Sequence, residues 1–151
     1  MSQPTRLTGA QEASLAIAAA VVTANAYYIH PIIAEVADYF GVSHSRIGLV
    51  PALNQIALAV GIFLLLPLGD RISNRRLTIT FAAGQTASIA LMAIAQGFTL
   101  FVIGSTMLGF FTIAPYLLPA YASKRVAPER LGQVTAKLAA GVILGILVAR
   151  V

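Results

Sequence analysis

Apolar residues in this chain come in long unbroken runs, and charged residues are confined to short breaks between them. No charged residue occurs from Ala13 to Ala34, from Ile47 to Gly69 or from Leu77 to Ser123. A hydrocarbon core about 30 Å thick is crossed by roughly 20 apolar residues of helix, so each of the first two runs predicts one membrane-spanning helix. The third would reach about 70 Å as a single helix; it must fold back, and Gln96-Gly97-Phe98-Thr99 carries the turn signal. A last apolar run starts near Gly132 and is still in progress at Val151. The pattern predicts an all-α membrane protein with a polar tail over 1–12, spans over 13–34, 47–69, 77–95 and 99–122, and an incomplete fifth span over 132–151.

Local signals place the ends. Thr8 with Gln11 three residues later has the form of a capping box, and Pro31 ends or kinks the first helix. The polar stretch from Glu35 to Arg46 reads as a loop with an amphipathic start, and Ser43 or Ser45 caps the second span. Ala24-Asn25-Ala26 has the small-x-small form of a signal-peptide cut, but the preceding segment offers only Arg6, opposed by Glu12, and apolar character resumes beyond the cut. A membrane helix is the better reading.

Charge sets the orientation. Leu66 to Arg76 holds Asp70, Arg71, Arg75 and Arg76 between two apolar runs, and these residues would each cost several kcal/mol in hydrocarbon. Arg6, Arg71, Arg75, Arg76, Lys124, Arg125, Arg130 and Lys137 then fall on one side and Arg46 on the other, with Arg150 unassigned. Short basic loops stay in the cytoplasm, so the chain is read as a multi-pass protein of the inner (plasma) membrane with a cytoplasmic N-terminus and lipid as its surroundings.

Composition narrows the function. With 58% hydrophobic and 10% charged residues and a mean hydropathy of +0.85, the chain cannot coat a soluble globule. The net charge of +5 is spread thinly, without interleaved aromatics, which argues against nucleic acid. Cysteine is absent, and neither a phosphate-binding loop nor a metal-ligand or Ser/His/Asp constellation occurs, so no cofactor, metal or enzymatic activity is expected.

Polar groups within the spans are the candidate cavity lining, because a buried amide needs a partner or a water-filled space. Asn25 and Tyr28 share a face of the first helix, Asn54 and Gln55 lie mid-way along the second beyond Pro51, and Tyr116 sits between Pro115 and Pro119. Interhelical hydrogen bonding is the alternative role for each. His30 is either a titrating group near neutral pH or an exposed loop-end imidazole. Arg150 would lie within the membrane if the last helix continues and would snorkel if it does not. Gly84 with Ser88, Ser105 with Gly109, and Gly141 with Gly145 have the four-residue spacing of close helix contacts.

These features together resemble the N-terminal part of a major facilitator superfamily transporter. Leu68-Gly69-Asp70-Arg71 with Arg75-Arg76 is similar to the family's loop of G-x-L-A-D-R-x-G-R-R type, with Leu66 at the first Gly place and Ser73 at the second. Asn25-Ala26-Tyr27-Tyr28-Ile29-His30-Pro31-Ile32-Ile33 resembles the N-x-Y-Y-x-Q-P-L-L stretch of a bacterial efflux-like branch, with His30 in the Gln place. Pro128 to Gly132 resembles the segment before helix five, and Leu147-Val148-Ala149-Arg150 resembles the L-L-A-R near its end.

The resemblance implies a fragment of a 12-helix fold that transports a small molecule, outward and coupled to protons. It implies a gating loop of Gly69, Asp70, Arg71, Arg75 and Arg76, whose aspartate latches onto a helix start in the other half. The partner would be a missing C-terminal half or another copy. Ser105 stands where many proton-coupled members carry Arg, four residues before a Gly. A self-standing bundle of about five helices that oligomerises or serves as an interaction subunit is the alternative.

Overall fold

A computed structural model describes residues 7–151, apart from the side chains of Asp70 and Asn74. Arg6 and most of the predicted tail lie outside the described residues. The first helix, α1, spans Gly9–Tyr27. Its start is closed by a reciprocal cap: the Thr8 N–H donates to Gln11 Oε1 at 3.0 Å and the Gln11 N–H to Thr8 Oγ1 at 3.3 Å. It ends before the predicted Ala34, because Pro31 has no N–H to donate to the Tyr27 carbonyl and disfavours helical geometry in the residue before it. After this turn come α2 (Ile33–Phe40) and α3 (His44–Ile47). Gly41 closes α2 in the left-handed conformation at φ 59°, which glycine adopts without a steric penalty, and the Ser43 hydroxyl caps α3.

Leu49–Leu65 forms α4, which tightens into a 3-10 turn over Leu66–Asp70. Beyond the turn, α5 spans Asn74–Ala93 and α6 spans Phe98–Phe111. The predicted fourth span is divided: α6 stops and α7 (Ala114–Ser123) begins after a break at Thr112 and Ile113. Pro115 is the cause, since it cannot donate to the Phe111 carbonyl and its ring would press on that oxygen. The last helix, α8 (Pro128–Val148), starts earlier than predicted because proline fits the first helical position, where an N–H has no partner anyway.

Three helical stretches, His44–Gly69, Phe98–Ser123 and Pro128–Val148, are long and apolar enough to cross a membrane. Helices α1 and α5, of 19 and 20 residues, run about 30 Å beside them. Large apolar side chains such as Ile17, Ile56, Phe63, Ile79 and Leu144 face outward, as they do in a protein solvated by lipid.

Packing depends on small residues. Helices α1 and α8 run parallel and touch backbone to backbone: a Cβ at Gly141 would collide with the Ala16 carbonyl, and one at Gly145 with that of Ala20. Helices α4 and α6 repeat the arrangement, with Gly109 against the Asn54 carbonyl and Gly61 against that of Phe110. Helix α5 packs antiparallel to α6, with Gly84 under the Phe111 ring and Gly104 beside Met92. Since lipid is as apolar as leucine, association in a bilayer rests on such close van der Waals contact and on hydrogen bonds. At one end Ile29, Ala37, Ile47, Val50 and Phe101 join the turn after α1, α2 and α3 to α4 and α6, and nearer the other Leu58, Phe81, Ile113 and Leu117 fill the space between α4, α5 and α7.

An ion cluster ties the first helix to the last. Glu12, only 1% exposed, accepts from the Arg130 guanidinium through Oε1 and from the Lys137 ammonium through Oε2, each at 2.7 Å. Arg130 and Lys137 lie two turns apart on one face of α8 and are half-exposed. The hydrogen bond from Lys137 holds the Glu12 carboxyl below its ordinary range, with the charges of Lys137 and Arg130 adding to it against the opposing effect of desolvation.

Two predictions follow from this packing. Gly145→Leu should lower the stability of the detergent-solubilised protein by at least about 1–3 kcal/mol through overpacking. Gly132→Ala, in the same helix but with nothing within 4 Å of the new Cβ, should be neutral or stabilise by up to about 1 kcal/mol; thermal unfolding followed by circular dichroism reads both. Because the Glu12 pKa is lower in the folded than in the unfolded state, the stability it confers is present above its ordinary value of 4.5 and is lost as pH falls through the folded value. Glu12→Gln should therefore melt below the native protein at pH 7, and the gap should close in acid.

Candidate functional site

The buried stripe of α4 is Val50, Asn54, Leu58 and Gly61, spaced at one-turn intervals, and it meets Phe101, Ser105, Leu108 and Gly109 of α6. The amide falls on this stripe because every fourth residue returns to the same face. Its Nδ2 donates to the Ser105 carbonyl at 2.7 Å. Between this seam and the C-terminal end of α1 a cavity of about 370 Å³ opens, bounded also by α2 and α5. Asn25, Tyr28, Asn54 and Ser105 supply its polar wall, and Ile29, Met92, Phe101 and Leu108 are among its apolar lining. Asn54 Oδ1 and Ser105 Oγ are both buried and have no hydrogen-bond partner.

The structure thus brings three of the sequence candidates, Asn25, Tyr28 and Asn54, to one cavity and leaves the others outside it. Gln55, one residue on from Asn54, is turned away from the cavity and half-buried. His30 is half-buried: its Nδ1 lies 3.0 Å from the Tyr27 carbonyl and its ring stacks on that of Tyr27 with centroids 5.3 Å apart. Tyr116 lines a separate pocket of about 340 Å³ with Gly69, Pro119 and Lys124. Arg150 is exposed just past α8.

A second polar group escaped the sequence reading. Gln85 of α5 is buried, and its Nε2 donates to Thr112 Oγ1 at 2.8 Å and to the Val22 carbonyl at 3.3 Å. The Thr112 hydroxyl in turn donates to the Leu108 carbonyl at 2.7 Å. Gln85 therefore fastens the break between α6 and α7 to both α5 and α1. Its only signal in the sequence is an amide within a run otherwise free of charge.

At the opposite end, Gly69 packs against Leu117 so closely that a Cβ would sit 3.1 Å from Cδ2. Arg71, Arg75 and Arg76 are exposed. Arg75 borders a groove of about 330 Å³ with Thr78, Ile79, Leu118 and Tyr121, and the Arg125 guanidinium lies 4.1 Å over the Tyr121 ring. The Asp70 carboxylate, central to the predicted gating loop, lies outside the described residues.

The chain is similar in sequence to known proteins. The "Uncharacterized transporter YgaY" of Escherichia coli O157:H7 is 29% identical over 136 residues, covering 90% of this chain and 34% of that protein. The "Probable transporter SCO4007" of Streptomyces coelicolor is 27% identical over 137 residues, 91% of this chain and 32% of that protein. The chain spans about a third of the length of these curated relatives. No solved structure matches it significantly. The family model described as Major Facilitator Superfamily matches residues 15–151, nearly the whole bundle, and the chain belongs to that superfamily.

Proposed function

We propose that this chain forms the N-terminal part of a secondary transporter that carries a small molecule out across the inner membrane. The family match over residues 15–151 carries the proposal, and a mainly apolar cavity with a few polar side chains inside the bundle supports it. In such transporters two helical bundles rock against each other around a site near the membrane midplane. The relatives are more than twice as long as this chain, which leaves room for a second bundle. Asn25, Tyr28 and Asn54 are the substrate-facing polar groups of this part.

The turn around Asp70 lies on the cytoplasmic side and acts as a latch. A helix start carries about half a positive charge and attracts a carboxylate by roughly 0.3–1 kcal/mol, so Asp70 docks against a helix start in the other half when the inner face closes. Arg71, Arg75 and Arg76 are exposed and available to lipid phosphates. The direction of transport and its coupling to protons follow the likeness of the Asn25 to Ile33 stretch to efflux proteins. Ser105, in the place of the usual arginine, is uncharged, so coupling would need an ionisable group elsewhere.

In cells producing the full-length transporter, Asp70→Ala should reduce efflux about two- to fivefold, the rate equivalent of the lost latch energy, with unchanged abundance in the membrane; unaltered efflux would remove the latch. Alkaline phosphatase fused at Gly97 should be active and the same fusion at Ser73 inactive. Activity at both sites would overturn the topology and the transport reading together.

A further inference from the structure

Ser105 differs from five other hydroxyls of the bundle. Ser14, Thr86, Ser88, Thr106 and Thr112 each donate to the carbonyl four residues back, the usual way to satisfy a hydroxyl within an apolar helix. Ser105, at 1% exposure, makes no such bond and has no partner. Beside it, Asn54 is equally one-sided. Its Nδ2 is committed to the Ser105 carbonyl at 2.7 Å, which only a donor can approach, so the amide orientation is fixed and Oδ1 is a buried acceptor without a donor. A buried unsatisfied polar atom is costly, and both of these belong to residues that line one cavity.

The rest of that wall restricts the ligand. Its volume of about 370 Å³ falls within the range of small-molecule sites. Apart from the Tyr28 phenol, no ionisable side chain is among its described lining residues. A charged group entering it would lose its hydration without gaining a counter-ion, which strongly disfavours its binding.

We infer that this cavity binds a neutral, mainly apolar molecule through a hydroxyl group held by Asn54 and Ser105. The hydroxyl donates to Asn54 Oδ1 and accepts from the Ser105 hydroxyl, which leaves the apolar body of the molecule among Ile29, Met92, Phe101 and Leu108. Calling that molecule the transported cargo rests on the transporter reading; the ligand class does not.

Three naphthalenes test it by isothermal titration of the detergent-solubilised chain against a detergent blank. 2-Naphthol is neutral at pH 7, as phenols titrate near pH 10; 2-methoxynaphthalene has lost the donor, and 2-naphthoate carries a charge. 2-Naphthol should bind saturably, 2-methoxynaphthalene about fivefold or more weakly, and 2-naphthoate more weakly still. Ser105→Ala removes a hydroxyl that bonds nothing else and should keep the fold while bringing 2-naphthol to the affinity of the methyl ether; Asn54→Leu, checked for folding by its melting curve, should do the same. Ala93→Phe, which adds bulk to the cavity's lining on α5, should weaken both neutral compounds. No saturable binding, equal affinities for the alcohol and the ether, preference for the carboxylate or indifference to Ala93→Phe would each overturn the inference. Efflux by the full-length protein with no binding here would leave transport standing and remove this ligand class, whereas binding without efflux would do the reverse.

Discussion

Everything in this bundle depends on how closely helix backbones can approach. In a bilayer, burying one more leucine gains little over leaving it in lipid, so the helices must be held by contacts that lipid cannot match. Glycine at 109, 141 and 145 lets carbonyl oxygens of the neighbouring helix sit where a side chain would otherwise begin. The same contact occurs in two parallel pairs, α1 with α8 and α4 with α6. With those distances fixed, the positions of Asn54, Ser105 and Gln85 follow, because each lies on or beside a glycine seam.

Much of this architecture was legible in the sequence, because its strongest signals are local. Charge-free runs and basic turns need no tertiary information, since a bilayer penalises charge wherever it occurs. The capping box at Thr8 and the four-residue spacing of small residues are equally local, and both carry into the structure. The end of α1 at Tyr27 and the break at Thr112 were less visible. Both arise from prolines at positions 31 and 115, whose effect is certain but whose outcome, a kink or a full break, depends on what neighbouring helices offer the freed backbone groups. At Thr112 that offer comes from Gln85, 27 residues away in sequence.

The site was harder to read for the same reason. Asn25, Tyr28 and Asn54 were visible as amides and a phenol in apolar runs, but nothing in the sequence separates Asn54 from Gln55; the register of α4 against α6 makes that choice. Ser105 was noticed as a small packing residue and as a missing arginine, and its second role needs the geometry of the cavity. Glu12 looked like a charge in a polar tail. Its pairing with Arg130 and Lys137 spans more than a hundred residues and has no local signature, although the spacing of seven places both cations on one helix face.

That cluster settles a matter which glycines alone leave open. Gly141 and Gly145 are one turn apart, as are Ala16 and Ala20, so sliding α8 along α1 by four residues, about 6 Å, would again set a glycine against an alanine carbonyl. One of the two glycine contacts survives in the displaced alignment, so steric fit alone penalises it only in part. Electrostatics adds to the penalty, for a slide of that size takes Lys137 from its place beside a carboxylate only 1% exposed, and a buried charge that loses a partner is strongly destabilising. Glu12 thus works as an index pin: it contributes to holding the two helices together, and it also decides at which notch they engage.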